Sequence, residues 1–302
     1  MREPWDDLEQ AARWLLALES EIQPRVVHLN QYFFGVLPFR APTLMVAHSC
    51  VQSWWRAVHG QSAPPSWDRY RECVGRGLAG AGCVAAPTEA MLRSLHENYA
   101  FDGPGVVLPN GRDPASFAPA PKQPFVLAAG RLWDEAKNLA ALDTAAAGLP
   151  WPVRVAGACE GPDGQLRRPT WVQPLGQLPA PALAREMGRA AIYALPARYE
   201  PFGLSALEAA LSGCALVLGD IPSLREIWGG AAAYVPPDDG PALREALTRL
   251  IADARLREHL SILARERALH FSAHRMTEAT LAAYARLPAR RAPVSEEKAS
   301  CA

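Results

Sequence analysis

Two glutamates eight residues apart, Glu200 and Glu208, bracket the passage E-P-F-G-L-S-A-L-E, whose residue types suit a ligand that carries both phosphate and sugar. Leu204, Leu207 and Leu211 recur at helical spacing, which predicts a helix beginning near Pro201, a residue that fits a first helical turn. The backbone N–H groups of Phe202, Gly203, Leu204 and Ser205 would be the unpaired donors of that helix start, and with the helix dipole they favour a diphosphate. Gly203 would let such a ligand approach the backbone closely. Glu208 could accept hydrogen bonds from vicinal hydroxyls, as on a ribose, while Glu200 could face the sugar. The helix dipole alone also favours an acidic residue near a helix start, and the spacing arises readily by chance. The pair by itself leaves both readings open.

A second group of candidates follows the apolar run P-F-V-L-A-A-G. Arg131 and Lys137 lie just beyond it, where ligands of open parallel sheets gather past the carboxyl ends of strands. A diphosphate needs its charge neutralised, and arginine offers a planar fork where lysine offers a mobile point charge. The alternative is an ordinary charged loop in which Asp134 and Glu135 pair with them. His48 ends the run T-L-M-V-A and is either a ligand contact or a strand-end residue bonded to nearby backbone. His28 reads as structural, and Trp54, Trp55 and Trp67 as packing residues.

The elements that must hold these residues alternate between apolar β-rich runs and helical patterns, which argues for parallel sheets built from βαβ units. Strands are expected near 25–29, 43–47, 82–86 and 105–108, then near 124–129, 153–156, 171–175, 191–195, 214–218 and 232–235. Pro109, Pro114, Pro119, Pro121 and Pro124 mark a connection between two domains, with the boundary near residue 118. The chain opens on an amphipathic helix over roughly 6–21, carrying Leu8, Ala12, Leu15, Leu16 and Leu18. Helical patterns run from about 240 to 287, and the polar segment 288–302 reads as disordered.

A chain of 302 residues with 49 % apolar content can bury two cores, and its zero net charge leaves no electrostatic footprint for nucleic acid. The cysteines at 50, 73, 83, 159, 214 and 301 show no C-x-x-C spacing, so reduced core thiols and a cytoplasmic protein are expected. No secretory signal or bilayer-spanning run is visible, which leaves peripheral contact at the inner membrane face as the only membrane association. G-A-G-C-V-A at 80–85 partly matches a dinucleotide fingerprint, but a helix precedes it and a strand follows, the reverse of what that motif requires. Neither D-x-D nor clustered His and carboxylate ligands appear, so no metal and no cofactor is expected.

The whole segment from Ala197 to Ile227 resembles the E-x7-E region of family 4 retaining glycosyltransferases of the GT-B fold, down to E-P-F-G-L and the downstream P-S-L-R-E-I. V-L-P-N-G-R-D-P-A-S-F (107–117) is similar to that family's interdomain element, and A-G-R-L-W-D-E-A-K-N (129–138) to its diphosphate-binding loop. The resemblance spans about 25–287. It implies two Rossmann-like domains facing a cleft, with the initial strands of the first domain missing: an acceptor-side domain over 1–118, a nucleotide-sugar domain over 119–271, and a helix over 272–287 returning to the first. The implied activity is retaining, metal-independent transfer from a nucleoside diphosphate sugar to a carbohydrate, lipid or small-molecule acceptor. Glu200, Arg131, Lys137 and His48 would act in catalysis, His48 by contacting the donor sugar. Phe202, Gly203, Leu204, Ser205, Glu208 and Gly130 would bind the donor, and backbone around 176–178 its base. Two alternatives stand beside this reading: a non-catalytic nucleotide-sugar-binding subunit, and a nucleotide-sugar epimerase on the same fold.

Overall fold

The computed structural model describes residues 4–288 apart from 163, 165 and 167. The first part runs α1 (Trp5–Ile22), β1 (Val27–Leu29), β2 (Thr43–Val46), α2 (Val51–His59), α3 (Asp68–Gly80), β3 (Cys83–Ala86), α4 (Glu89–Tyr99) and β4 (Gly105–Val107). Its four strands form a parallel sheet in the order β1-β2-β3-β4. In α1, Ala12 is buried and Leu15 and Leu16 pack on the core of this domain. Glu19 of the same helix is buried too, its carboxylate accepting the N–H groups of Arg40 at 2.7 Å and Ala41 at 2.8 Å.

The second part runs β5 (Gln123–Ala129), α5 (Leu139–Ala146), β6 (Val153–Ala156), β7 (Gln173–Gly176), α6 (Ala180–Arg189), β8 (Ala190–Leu195), α7 (Leu204–Leu211), β9 (Ala215–Gly219), α8 (Pro222–Trp228), β10 (Ala233–Val235), α9 (Gly240–Ala252) and α10 (Ala254–Ala268). Its six strands pair in parallel in the order β10-β9-β8-β5-β6-β7. Every residue of β8 and β9 is buried, and both strands read as unbroken apolar runs because helices cover both faces of the sheet. All ten expected strands are present, displaced at their ends by a residue or two.

A last helix, α11 (Ala273–Ala285), crosses back to the first sheet, where Ala279, Ala283, Tyr284 and Leu287 pack around Leu44, Ala85 and Leu108. The chain crosses itself where it leaves the first domain: Arg112 donates its N–H to Phe271 O and accepts that of Ala273, both at 3.0 Å. The expected polar tail lies, beyond Pro288, outside the described residues, as does Cys301. Cys50, Cys73, Cys83, Cys159 and Cys214 are free thiols.

Candidate active site

The sequence passage around the two glutamates folds differently from its expectation in one respect. α7 starts at Leu204, not near Pro201, because Gly203 sits at φ 92° and breaks the helical backbone there. Only a residue without Cβ adopts that conformation cheaply, and an added Cβ would also come within 3.1 Å of Leu224. Pro201 and Phe202 therefore belong to the preceding loop. The Phe202 side chain is core, 2 % exposed and edge-on to Phe271 at 5.6 Å, so its part in the candidate site is limited to backbone. Nor is the Gly203 N–H a free donor: it bonds Glu200 Oε1 at 3.0 Å. Leu204 and Ser205 head the helix, and Glu208 follows one turn into it.

Glu200 is tied on both oxygens. Lys137 Nζ donates to Oε2 at 2.5 Å, with the two side chains only 17 % and 14 % exposed. Ser223 Oγ donates to the Glu200 carbonyl at 2.5 Å, fixing the loop from behind. Lys137 thus pairs with a glutamate 63 positions away rather than with its sequence neighbours, which replaces the ordinary-loop alternative for this residue. Arg131 does take the local partner, with Nη2 at 3.1 Å from Asp134 Oδ2, and keeps 64 % of its side chain exposed.

Both residues stand at the carboxyl end of β5, on a turn that begins at Gly130. Gly130 and Gly157 cross so closely that a Cβ on Gly157 would lie 1.8 Å from Gly130 O, and Gly157 N–H in turn bonds Gly176 O at 2.8 Å. The loops after β5, β6 and β7 are in this way stacked at one edge. Beneath them the fully buried Tyr193 hydroxyl donates to Ala129 O at 3.1 Å and accepts its N–H at 3.2 Å, and burial pushes that phenol well up. Asn138 closes the turn at φ 58°, a left-handed position that asparagine tolerates, with Nδ2 donating to Pro196 O and Pro237 O.

Glu208 Oε1 accepts Arg112 Nε at 2.7 Å, the arginine being 43 % and the glutamate 14 % exposed. Arg112 had no assigned role in the sequence, since nothing local links it to a residue 96 positions on. Among the described residues Oε2 of Glu208 takes no hydrogen bond, so one oxygen stays available to a ligand hydroxyl.

His48 follows β2 on the facing domain, its Nε2 bonded to Asn30 Oδ1 at 2.8 Å. Partial burial holds its imidazole below the ordinary value, and His28 adds to the effect. Burial lowers His28 likewise, and its Nδ1 meets Tyr284 of α11 at 2.6 Å.

The domains meet through polar contacts that the sequence did not reveal. Thr88 Oγ1 donates to Pro201 O at 3.0 Å, and Cys50 N–H donates to Tyr199 Oη at 3.2 Å. Glu226 of α8 accepts the N–H groups of Glu89 at 2.7 Å and Ala90 at 2.9 Å, which places a carboxylate on the N-terminus of α4. Trp54, read from sequence as a packing residue, donates its indole N–H to Asp134 Oδ1 at 3.0 Å. Among the described residues no group of three or more His, Cys, Asp or Glu could hold a metal ion, and no helix is long and apolar enough to cross a membrane.

Two parallel-sheet domains facing a cleft define the GT-B class. Residues 1–116 match the family model described as Glycosyltransferase Family 4, and residues 123–253 the one described as Glycosyl transferases group 1. The chain is a GT-B-fold protein related to the family 4 glycosyltransferases. A phosphatidyl-myo-inositol mannosyltransferase of Mycolicibacterium smegmatis is 32 % identical over 188 residues, 56 % of this chain and 48 % of the relative. An O-antigen chain mannosyltransferase B of Escherichia coli is 31 % identical over 117 residues, 39 % of this chain and 31 % of the relative. These alignments reach less than half of either relative's length. Among solved structures, a sucrose-phosphate synthase of Thermosynechococcus elongatus has a TM-score of 0.82 at 22 % identity, covering 94 % of this chain and 79 % of that one. HepE of Anabaena in complex with UDP and glucose has a TM-score of 0.73 at 16 % identity, covering 93 % and 81 %.

Proposed function

We propose that this chain transfers a glycosyl group from a nucleoside diphosphate sugar to an acceptor hydroxyl, without a metal ion and with retention at the anomeric carbon. The observation that carries this reading is the Lys137–Glu200 pair, held by Gly203 N–H and seated at the carboxyl edge of the second sheet beside Arg131. Breaking the donor's C1–O bond leaves negative charge on the departing diphosphate. Lys137, Arg131 and the amides of Leu204 and Ser205 are the groups to stabilise it, and they do so more in the transition state than in the ground state. The acceptor oxygen forms its bond to C1 on the face the diphosphate leaves, and its proton passes to a departing phosphate oxygen.

In this scheme Glu200 orients the sugar and fixes Lys137, Glu208 receives the ribose diol through Oε2, and His48 contacts the sugar from the first domain. The neutral imidazole expected from its lowered proton affinity serves as a hydrogen-bonding partner rather than a cation. Residues 1–118 form the acceptor side, 119–271 the donor side, and 272–287 the returning helix. Because both relatives are named as mannosyltransferases, a nucleoside diphosphate mannose is the first donor to try. The test is product analysis of donor with and without a panel of carbohydrate and lipid acceptors, with the anomeric configuration read by NMR. Epimerised sugar from donor alone, or donor binding with no turnover under any condition, would overturn it in favour of the epimerase or the binding subunit.

A further inference from the structure

The turn that carries both candidate diphosphate-binding cations is fastened to the opposite domain. Asp134 is a charged side chain only 6 % exposed, and a buried carboxylate must find donors. It has three. Ala136 N–H bonds Oδ1 at 3.0 Å and caps the single 3-10 turn Glu135–Lys137, Arg131 Nη2 lies 3.1 Å from Oδ2, and the Trp54 indole N–H bonds Oδ1 at 3.0 Å. The first two donors belong to the same loop. The third comes from α2 of the first domain, across the cleft.

Trp54 is itself braced. Its ring meets Trp55 at 5.6 Å and His59 at 5.3 Å between centroids, so the indole has little freedom to turn. Five residues on, at the end of α2, His59 Nε2 lies 4.0 Å from Glu135 Oε2, a second contact along the same seam. On its far side the turn is held by Arg198 N–H, which donates to Ala136 O at 2.9 Å just ahead of Glu200. The turn is therefore clamped between α2 and the loop that bears Glu200, with Lys137 at its end.

Building on the transferase reading, we propose that Trp54 is a positioning residue: through Asp134 it sets where Arg131 and Lys137 stand, so the first domain preorganises the diphosphate site of the second. Trp54 need not touch the donor. Its contribution is to remove the freedom of a turn whose two cations must meet the phosphates at fixed distances, a pre-arrangement that binding would otherwise have to supply.

The test uses the full chain and whichever of UDP, GDP, ADP or dTDP binds wild type most tightly. Trp54→Phe keeps an aromatic side chain on Trp55 and His59 but deletes the N–H together with the pyrrole part of the ring; loss of folding is not expected, and titration stoichiometry checks this. The proposal expects the nucleotide Kd to rise about threefold to tenfold and the donor KM to rise with it, with acceptor KM unchanged. Asp134→Ala should produce an effect at least as large, and adding Trp54→Phe to it should change Kd by less than about twofold, since both substitutions break one contact. Wild-type Kd in Trp54→Phe would overturn the proposal, as would effects of the two substitutions that simply multiply, or a fall in kcat alone with Kd unchanged. Failure of wild type to bind any of the four nucleotides would instead overturn the transferase reading.

Discussion

Replacing Glu208 with alanine separates nucleotide binding from folding, and both magnitudes follow from the geometry. If Oε2 accepts both hydroxyls of the ribose, two hydrogen bonds to a charged acceptor are lost, each worth about 1.5 kcal/mol. The sum of about 3 kcal/mol is roughly a hundredfold in Kd. The folded state loses much less. Glu208 has one protein partner, Arg112, whose side chain is 43 % exposed, so water can take over the guanidinium. Such a pair contributes at most about 1 kcal/mol, which in a protein of this size is about 4 °C or less in melting temperature. Calorimetric titration with the four nucleoside diphosphates, alongside thermal unfolding, reads both quantities on one preparation. Arg112→Ala is the control: it removes the same ion pair and leaves the carboxylate, so its Kd should stay within about threefold of wild type. An unchanged Kd in Glu208→Ala would refute the ribose assignment. A hundredfold loss accompanied by a collapse in melting temperature would show that the glutamate holds the fold and that the ligand reasoning was wrong.

Lys137→Met should lower kcat by about a hundredfold to a thousandfold, because a donor aimed at the departing diphosphate is lost while Glu200 is left with Gly203 N–H as its side-chain partner; donor turnover within tenfold of wild type would refute this. Gly203→Ala forces a side chain onto φ 92° and against Leu224, so thermal unfolding should show a loss of about 1–3 kcal/mol together with reduced donor binding, and wild-type stability would mean that the loop relaxes freely. His28 and His48 are both held below the usual value of 6.5, so each favours folding in its neutral form. That stability is fully present above the unfolded value and is lost as pH falls through the lowered folded values. Unfolding midpoints should therefore drop on acidification below about 6.5, and His28→Gln with His48→Gln should flatten that part of the profile.

The sequence alone determined the strands and their parallel pairing class, and it marked candidate residues for a ligand site. Runs such as F-V-L-A-A and A-A-I-Y-A-L are buried on both faces and so are apolar without interruption, a signal that survives in one dimension. Glu200, Lys137, Arg131 and Glu208 could be picked out as candidates because their types, and for the first three their places after strands, carry chemistry that short-range rules can weigh. The helix start at Leu204 was misplaced because proline tolerates the first turn, whereas the glycine two residues on takes a backbone angle that its letter permits but does not reveal.

Tertiary structure alone decided the partners. Lys137 bonds Glu200 and not Glu135, Arg112 bonds Glu208, Glu226 caps a helix of the other domain, and Trp54 reaches Asp134. Each of these joins residues tens of positions apart, brought together by sheet order and by the seating of one domain on the other. A charged or amphipathic side chain has many acceptable neighbours in sequence, so its letter fixes that it needs a partner and leaves the choice to the fold.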